Sequence, residues 1–338
     1  MKKIVFILVT LFALLPALTA EAKKKKITPE QKGVATINRS TAEAHVGFLA
    51  SDALKGRESG TEHGHIAGEY LISVLKQMGA TPLFSNSFAQ PFDAYSFERR
   101  NAGFTVHPES IEKIKKAPHR IAPMRNILAK IEGKNPEEIV VVGAHYDHLG
   151  TDPMLVGDKI FNGADDNASG VQAVLQILRA FIATGEQPER TVIFALWDGE
   201  ERGLLGSTYF VNNFAEIKKV KAYMNFDMIG RNNMEERPKH FNLLYTKKDS
   251  IFENWLKSDI EKHTLALEPS FMSSDDFNGG SDQAPFFKAG AKIVWYQTGA
   301  QPDFHKPTDE SDRINWDKMV EITKAAFLCL WKMANQPF

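Results

Sequence analysis

Residues 191–207 of this 338-residue chain read TVIFALWDGEERGLLGS. The first six residues are apolar or β-branched, which predicts a strand buried on both faces. Glu200 and Glu201 follow it on a predicted turn. Such a pair in isolation is typical of a solvated helix start. Directly after a buried strand, it instead predicts a functional site, because sites in open α/β sheets form beyond the carboxyl ends of strands.

Four further segments carry acidic or imidazole side chains of the kind that binds zinc. They read GAHYD at 143–147, GADDN at 163–167, NFD at 225–227 and DFH at 303–305. Carboxylates and neutral imidazoles suit a borderline divalent ion, and two ions need more ligands than one loop can supply, with one carboxylate shared between them. The pattern therefore predicts a hydrolase with a two-metal centre.

The spacing of apolar residues predicts an α/β fold. Helical periods cover residues 40–53, 66–78, 170–183, 207–214, 251–263 and 316–334, and strand-like runs cover 125–132, 139–144, 191–196, 220–228 and 291–297. Ser40 and Glu43 have the spacing of a capping box, and the turn at 133–136 predicts a hairpin between the first two strands. Alternating strands and helices predict a mostly parallel mixed sheet flanked by helices on both faces.

The amino terminus has the pattern of a secretory signal peptide. Two lysines precede an apolar run at 4–20, which ends in a small-x-small cleavage pattern at 20–22. A membrane anchor is the alternative, but Pro16 interrupts the run, which is also short for a spanning helix. We expect residues 1–22 to be removed, residues 23–338 to form a single catalytic domain without a membrane anchor, and the protein to be periplasmic or extracellular.

Composition narrows the classes of partner. The chain has 41 Lys and Arg against 42 Asp and Glu, and this balance argues against a nucleic-acid partner. The single cysteine, Cys329, has no partner for an internal disulfide and lies in an apolar run, which predicts a buried core residue.

Three segments taken together resemble a known family. They read GAHYDH at 143–148, NGADDNASG at 162–170 and WDGEERGLLGS at 197–207. In this order they resemble the co-catalytic zinc aminopeptidases of the bacterial leucyl aminopeptidase type, the twenty-eighth metallopeptidase family. The resemblance covers nearly all of the mature chain. It implies the zinc-dependent exopeptidase fold, of the phosphorylase/hydrolase-like kind, and removal of the first residue from peptides with a free amino terminus.

The same resemblance implies a role for each ligand. Asp165 would bridge two zinc ions, for which cobalt or manganese can substitute. The other implied ligands are His145 and Asp227 for one ion and Glu201 and His305 for the second. Glu200 would be the general base, accepting a proton from water and returning it to the leaving amine.

Roles are also predicted for residues next to the implied ligands. Asp147 is predicted to fix the tautomer of the His145 imidazole, with a turn-capping role as the alternative. The resemblance also implies a cis peptide bond between Asp165 and Asp166. It places His148 outside the ligand shell, as a polar loop residue.

Two positions depart from the family pattern. Several relatives have a tyrosine before the last histidine, where its hydroxyl can stabilise an oxyanion, but Phe304 has no donor. Tyr296 is a candidate replacement, although a tyrosine at a strand end is more often a packing residue. Gln283 stands where relatives often have histidine, and it can donate a hydrogen bond but carries no charge. The loops at 228–237 and 270–280 leave the preferred substrate side chain open.

Two alternatives of other classes remain. A glutaminyl cyclase of the same fold would use a single zinc ion and release pyroglutamate without attack by water. An inactive binding module of the same fold would be expected to have lost ligands, and this chain keeps them. Product mass tests the first alternative, and metal content tests the second.

Overall fold

The computed structural model describes residues 27–99, 102–275 and 280–338. The expected signal peptide and part of the 270–280 loop lie outside the described residues. No helix in the described part of the chain is both long enough and apolar enough to cross a bilayer.

The secondary structure alternates along most of the chain. In the described residues, the strands are β1 (Thr81–Pro82), β2 (Ala89–Phe97), β3 (His119–Ile131), β4 (Asn135–His145), β5 (Gly150–Thr151), β6 (Ile160–Phe161), β7 (Arg190–Trp197), β8 (Val220–Phe226), β9 (His240–Tyr245), β10 (Glu268–Ser273) and β11 (Lys292–Gln297). The α-helices in the same residues are α1 (Pro29–Val34), α2 (Arg39–Leu49), α3 (Glu62–Gln77), α4 (Pro108–Ile114), α5 (Gly170–Thr184), α6 (Leu205–Asn213), α7 (Ile251–His263), α8 (Gln283–Lys288) and α9 (Trp316–Asn335).

One mixed sheet organises the molecule. Its strand order within the described residues is β1-β3-β7-β4-β8-β11-β9-β10, and β2 also pairs with β3. The central strands β7, β4, β8 and β11 are mutually parallel, whereas β3 joins β7 and β9 joins β11 in antiparallel pairs. The edge strand β10 pairs with β9 in parallel, so antiparallel pairs join β3 to β7 and β9 to β11 on either side of the central strands. The prediction of a mixed α/β sheet is confirmed.

The predicted hairpin between β3 and β4 is wrong, because β7 lies between these two strands. The connection passes close to the start of β7 at Gly133, whose N–H donates to Thr191 Oγ1 at 3.1 Å. A Cβ atom on Gly133 would lie 2.3 Å from the backbone of Arg190. This close backbone approach lets β3 and β4 each pair with β7 instead of with each other.

Two apolar layers cover the sheet. On one face, α2, α3, α5, α7 and α9 pack on alternate strand residues such as Val142 and Phe194. On the other face, Phe210 of α6 and Phe286 of α8 pack against Trp197. Cys329 is buried in the first layer, as predicted. Helices on both faces therefore bury the sheet and leave the carboxyl ends of its central strands for the site.

The start of α2 differs from the prediction. The helix begins at Arg39, and its N-cap is Asn38, whose side chain accepts a hydrogen bond from the backbone N–H of Thr41. Ser40 is already inside the first turn, so its spacing to Glu43 does not form a capping box.

Candidate metal centre

Three parallel strands bring the predicted side chains to one place. His145 is the last residue of β4, Glu200 and Glu201 lie on the turn after β7, and Asp227 directly follows β8. Because β7, β4 and β8 are neighbours, their carboxyl ends meet at the same edge of the sheet. His305 reaches this edge from the loop after β11.

Asp166 lies between two histidines. Its Oδ1 atom is 3.3 Å from His145 Nε2, and its Oδ2 atom is 3.2 Å from His305 Nε2. Asp227 Oδ1 lies 3.6 Å from the first imidazole nitrogen, and Glu201 Oε2 lies 3.2 Å from the second. Two groups of possible ligands therefore share the carboxylate of Asp166.

The structure corrects the expectation that Asp165 is the shared carboxylate. Asp165 Oδ1 accepts hydrogen bonds from the backbone N–H groups of Gly230 at 2.6 Å and Arg231 at 3.1 Å. The side chain thus holds the segment after β8 and leaves the position between the imidazoles to Asp166. The cis peptide bond also lies one residue later than expected, between Asp166 and Asn167.

Buried polar side chains hold the turn that carries Asp166. The carboxylate of Asp309 accepts from the backbone N–H groups of Asp165 at 3.1 Å and Asp166 at 3.0 Å. Asn167 Nδ2 donates to the carbonyl of Phe226 at 2.8 Å. The turn is therefore tied both to the end of β8 and to the loop that follows His305.

Arg57 joins several of the loops around the site. Its side chain is fully buried, and its guanidinium donates to the backbone carbonyls of Tyr146 at 2.7 Å, Gly163 at 2.7 Å and Asp166 at 3.1 Å. Sequence reasoning missed this residue, because an arginine in a polar loop is normally exposed. Its positive charge lies beside the cluster of carboxylates and offsets part of their repulsion.

Asp147 contacts both halves of the site. Its carboxylate accepts hydrogen bonds from the backbone N–H groups of Glu200 at 3.1 Å and Glu201 at 3.3 Å, and from Ser59 Oγ at 2.7 Å. His145 Nδ1 lies 3.2 Å from the backbone oxygen of Asp147 and 3.6 Å from its carboxylate. The residue therefore caps the turn after β7, and its backbone oxygen lies closer to the imidazole than its carboxylate does.

The electrostatic environment of Glu200 is that of a buried carboxylate among other carboxylates. Burial raises the pKa of Glu200 well above its usual range, and the charge of Asp227 acts in the same direction, against that of His145. Asp282, another fully buried carboxylate, also raises the pKa of Glu200, and burial raises the pKa of Asp282 itself to about 7. Sequence reasoning did not single out Asp282. A carboxyl group with a raised pKa is suited to proton transfer near neutral pH.

Tyr296 does not reach this site. Its side chain is fully buried, and its ring stacks with Phe226 at a centroid distance of 5.5 Å and with Phe241 at 5.9 Å. It belongs to the apolar layer under α9, so the expected oxyanion or substrate contact is wrong, and its alternative role as a packing residue is correct. Phe304, by contrast, is 37% exposed and stacks on the ring of His305.

His148 lies in the segment between β4 and β5, where a polar loop residue is expected. It is buried there, and its Nδ1 atom lies 2.7 Å from Glu201 Oε1. The repeated histidine in HYDH at 145–148 was the available signal.

Known proteins share sequence with this chain. Residues 126–329 match the family described as Peptidase family M28. The chain is 43% identical over 183 residues to an aminopeptidase of Pseudomonas aeruginosa, covering 52% of this chain and only 31% of that protein.

Solved structures share the fold. The Legionella pneumophila LapA aminopeptidase matches with a TM-score of 0.68 and 20% identity, over 98% of this chain and 81% of that one. Porphyromonas gingivalis glutaminyl cyclase matches with a TM-score of 0.62 and 18% identity, over 87% of this chain and 98% of that one. At these identities the likeness concerns the fold alone, which aminopeptidases and cyclases have in common.

Proposed function

This chain belongs to peptidase family M28, and we propose that it is a metallo-aminopeptidase that uses two zinc ions to remove the first residue of peptides. The observation that carries the proposal is the position of Asp166, whose two carboxylate oxygens face different histidines. A shared carboxylate is what a pair of ions requires. The match to family M28 supports the peptidase class.

The donor atoms fit zinc in chemistry and in spacing. Ligand atoms bound at about 2.0–2.1 Å in a tetrahedral zinc site lie about 3.3 Å apart. His145 Nε2 is 3.3 Å from Asp166 and 3.6 Å from Asp227, and His305 Nε2 is 3.2 Å from both Asp166 and Glu201. The first set would hold one ion and the second set the other. Cobalt or manganese could occupy the same ligands.

The chain's own residues would supply the proton transfer. When bound, zinc contributes Lewis acidity, which polarises a substrate carbonyl and acidifies water. Glu200 lies beside the ligands, with its Oε2 atom 4.0 Å from His145 Nε2, and remains available as a base. We propose that its carboxylate takes the proton from the attacking water and gives it to the leaving amine. The turn that carries Glu200 is held by Asp147, which fixes the base relative to His145.

An excess of carboxylates favours substrates with a free amino terminus. Glu200, Asp227 and Asp282 are close enough for each of the two aspartates to raise the pKa of Glu200. A protonated amine bound here would relieve this repulsion, whereas an acetylated one carries no charge. We therefore propose unblocked peptides as substrates.

Export is a further part of the proposal. It is supported by the two lysines, the apolar run at 4–20 and the cleavage pattern at 20–22. Amino-terminal sequencing of the protein from the producing cells, with cell fractionation, tests it. A chain that keeps residues 1–22 and stays in the cytoplasm would contradict export without affecting the proposed chemistry.

Three peptides that share one sequence after the first residue test the activity of the purified chain loaded with zinc. One has a free amino terminus, one is acetylated there, and one begins with glutamine. Mass spectrometry should show loss of the first residue from the free peptide and little change in the acetylated one. Pyroglutamate formation on the third peptide without hydrolysis, together with a single bound zinc, would establish the cyclase instead. No firmly bound zinc and no turnover of any peptide would favour an inactive binding module.

A further inference from the structure

His148 makes a close contact with Glu201. Its imidazole is fully buried, and its Nδ1 atom lies 2.7 Å from Glu201 Oε1. A carboxylate oxygen can only accept a hydrogen bond, so the proton of this contact is on Nδ1 of the histidine. The other oxygen of the same carboxylate, Oε2, faces His305 Nε2 at 3.2 Å. The two oxygens of Glu201 are thus divided between two imidazoles.

The distances distinguish a donor from a metal ligand. His148, Asp166 and Glu201 lie close enough to one another to be considered as a possible ligand group. Two atoms on one tetrahedral zinc ion would be about 3.3 Å apart. The separation of 2.7 Å between His148 Nδ1 and Glu201 Oε1 is shorter than this and is a normal length for a charge-assisted hydrogen bond. The distance between His148 Nδ1 and Asp166 Oδ2 is longer, at 3.9 Å.

Packing keeps the His148 ring in place. A Cβ atom on Gly163 would lie 2.5 Å from Cδ2 of this ring, so the ring fills the space that a larger residue at 163 would need. The backbone N–H of His148 donates to the carbonyl of Arg57 at 3.4 Å. On its other side, the ring meets that of His305 edge-on, at a centroid distance of 6.0 Å.

We propose that His148 is a positioning residue for one of the two zinc ions. By donating from Nδ1 to Oε1 of Glu201, it leaves Oε2 as the single oxygen directed at the ion and stops the carboxylate from rotating. The inference rests on the proposed zinc centre and adds a residue that the family pattern places outside the ligand shell. The effect is confined to the ion held by Glu201 and His305, because the ion held by His145 and Asp227 does not use this carboxylate.

Three substitutions at this position separate the possible roles. His148→Asn keeps a donor where Nδ1 lies, because the amide nitrogen of asparagine overlays that atom. His148→Gln carries its amide at the distance of Nε2, and His148→Leu has no donor. A matched control is His240→Asn, which changes another buried histidine, on β9, whose Nε2 is 2.9 Å from Ser270 Oγ.

Zinc affinity is measured by competition with a chromophoric chelator, which resolves two binding steps, and the melting temperature of each zinc-free variant is recorded. We expect His148→Leu and His148→Gln to weaken one step by about 10- to 100-fold, as is usual for residues that orient a metal ligand. The other step should be unchanged, and His148→Asn and the control should bind both ions with wild-type affinity. If the leucine variant fails to fold, comparing the zinc affinities of the asparagine and glutamine variants still tests whether a donor at the position of Nδ1 is required.

Different outcomes contradict different claims. A wild-type chain that binds fewer than two zinc ions would contradict the proposed function itself. Two ions in the wild type with unchanged affinities in the leucine and glutamine variants would overturn the role of His148. Equal losses in the asparagine and leucine variants would also overturn it, because a donor at the position of Nδ1 would then have no effect on zinc affinity.

Discussion

Oδ1 of Asp147 accepts a hydrogen bond from the backbone N–H of Glu200 at 3.1 Å. Through this bond, the segment after β4 positions the turn after β7, so the residue beside one predicted zinc ligand also sets the direction of the predicted base. Burial acts to raise the pKa of Asp147, but the nearby His145 imidazole and the hydrogen bonds from Ser59 and the Glu200 amide lower it below its usual value. The carboxylate is therefore charged at neutral pH.

Asp147→Asn should weaken zinc retention by about 10- to 100-fold, because the His145 imidazole loses a neighbouring negative charge while keeping its place. Chelator competition measures the change. Asp93→Asn, an exposed change on β2, is the control and should have no effect. Wild-type zinc affinity in Asp147→Asn, with affinity lost in His145→Ala, would leave Asp147 with its turn-capping role alone.

Glu200→Gln should retain both zinc ions and lose most turnover. The amide is nearly isosteric with the carboxylate but cannot accept the proton, and removal of a general base typically costs about 100- to 10,000-fold in rate. Steady-state kinetics with zinc analysis on the same sample measures both quantities. Activity within a few-fold of the wild type would mean that another group is the base. Glu112→Gln on α4 is an exposed control of the same chemistry.

Asp165 and Asp166 offer a test within one turn. Asp166→Asn should reduce bound zinc below two ions per chain, because it removes the charge that faces both imidazoles. Asp165→Asn should keep two ions but lower the free energy of unfolding by about 1 kcal/mol, because its bonds to the backbone of Gly230 and Arg231 lose their charged acceptor. Elemental analysis and denaturant unfolding measure the two effects. The reverse zinc contents would restore Asp165 as the shared ligand.

His45 should make stability depend on pH independently of the metal site. Burial, with a smaller effect from the charge of Arg179, lowers the pKa of this imidazole to about 4 from its usual 6.5. Between these values the unfolded chain binds a proton that the folded chain does not, so the folded state loses stability as pH falls from 6.5 towards 4. The loss attributable to His45 is on the order of 3 kcal/mol at most.

The comparison variant for this effect is His45→Asn, which can keep the contact with Tyr70 OH, 2.8 Å from Nδ1, but does not titrate in this range. Denaturant unfolding of both zinc-free proteins at several pH values should give free energies of unfolding that change with pH in the same way above pH 6.5. Below it, the wild type should lose stability faster. Identical pH dependence of the two proteins would show that His45 is not held neutral by the fold.

The sequence was sufficient to predict the central strands and helices and which residues after those strands form the site. Apolar periods predicted the central strands β4, β7, β8 and β11 and the helices α5, α7 and α9, because burial on both faces leaves a continuous apolar run in a strand. The same strands predicted where His145, Glu200, Glu201 and Asp227 would meet. Parallel neighbours end at one edge of a sheet, and this rule needs no knowledge of side-chain contacts.

Strand order depended on contacts that lie far apart in sequence. A short turn at 133–136 predicts a hairpin, but β7, which begins at Arg190, pairs with both β3 and β4. A pattern read from neighbouring residues cannot predict that a strand distant in sequence will lie between two consecutive strands. The face occupied by Tyr296 is a related case, since the alternation of side chains places it under α9 and away from the site.

Only the tertiary structure decided which of two adjacent aspartates occupies the centre. Asp165 and Asp166 have the same chemistry, so composition and spacing describe them equally well. In the folded chain, successive residues of the turn point in different directions. Backbone N–H groups after β8 take the carboxylate of Asp165, while the two imidazoles surround that of Asp166. The burial of Arg57 and the contact of His148 with Glu201 were set in the same way, by loops from separate parts of the chain that meet only after folding.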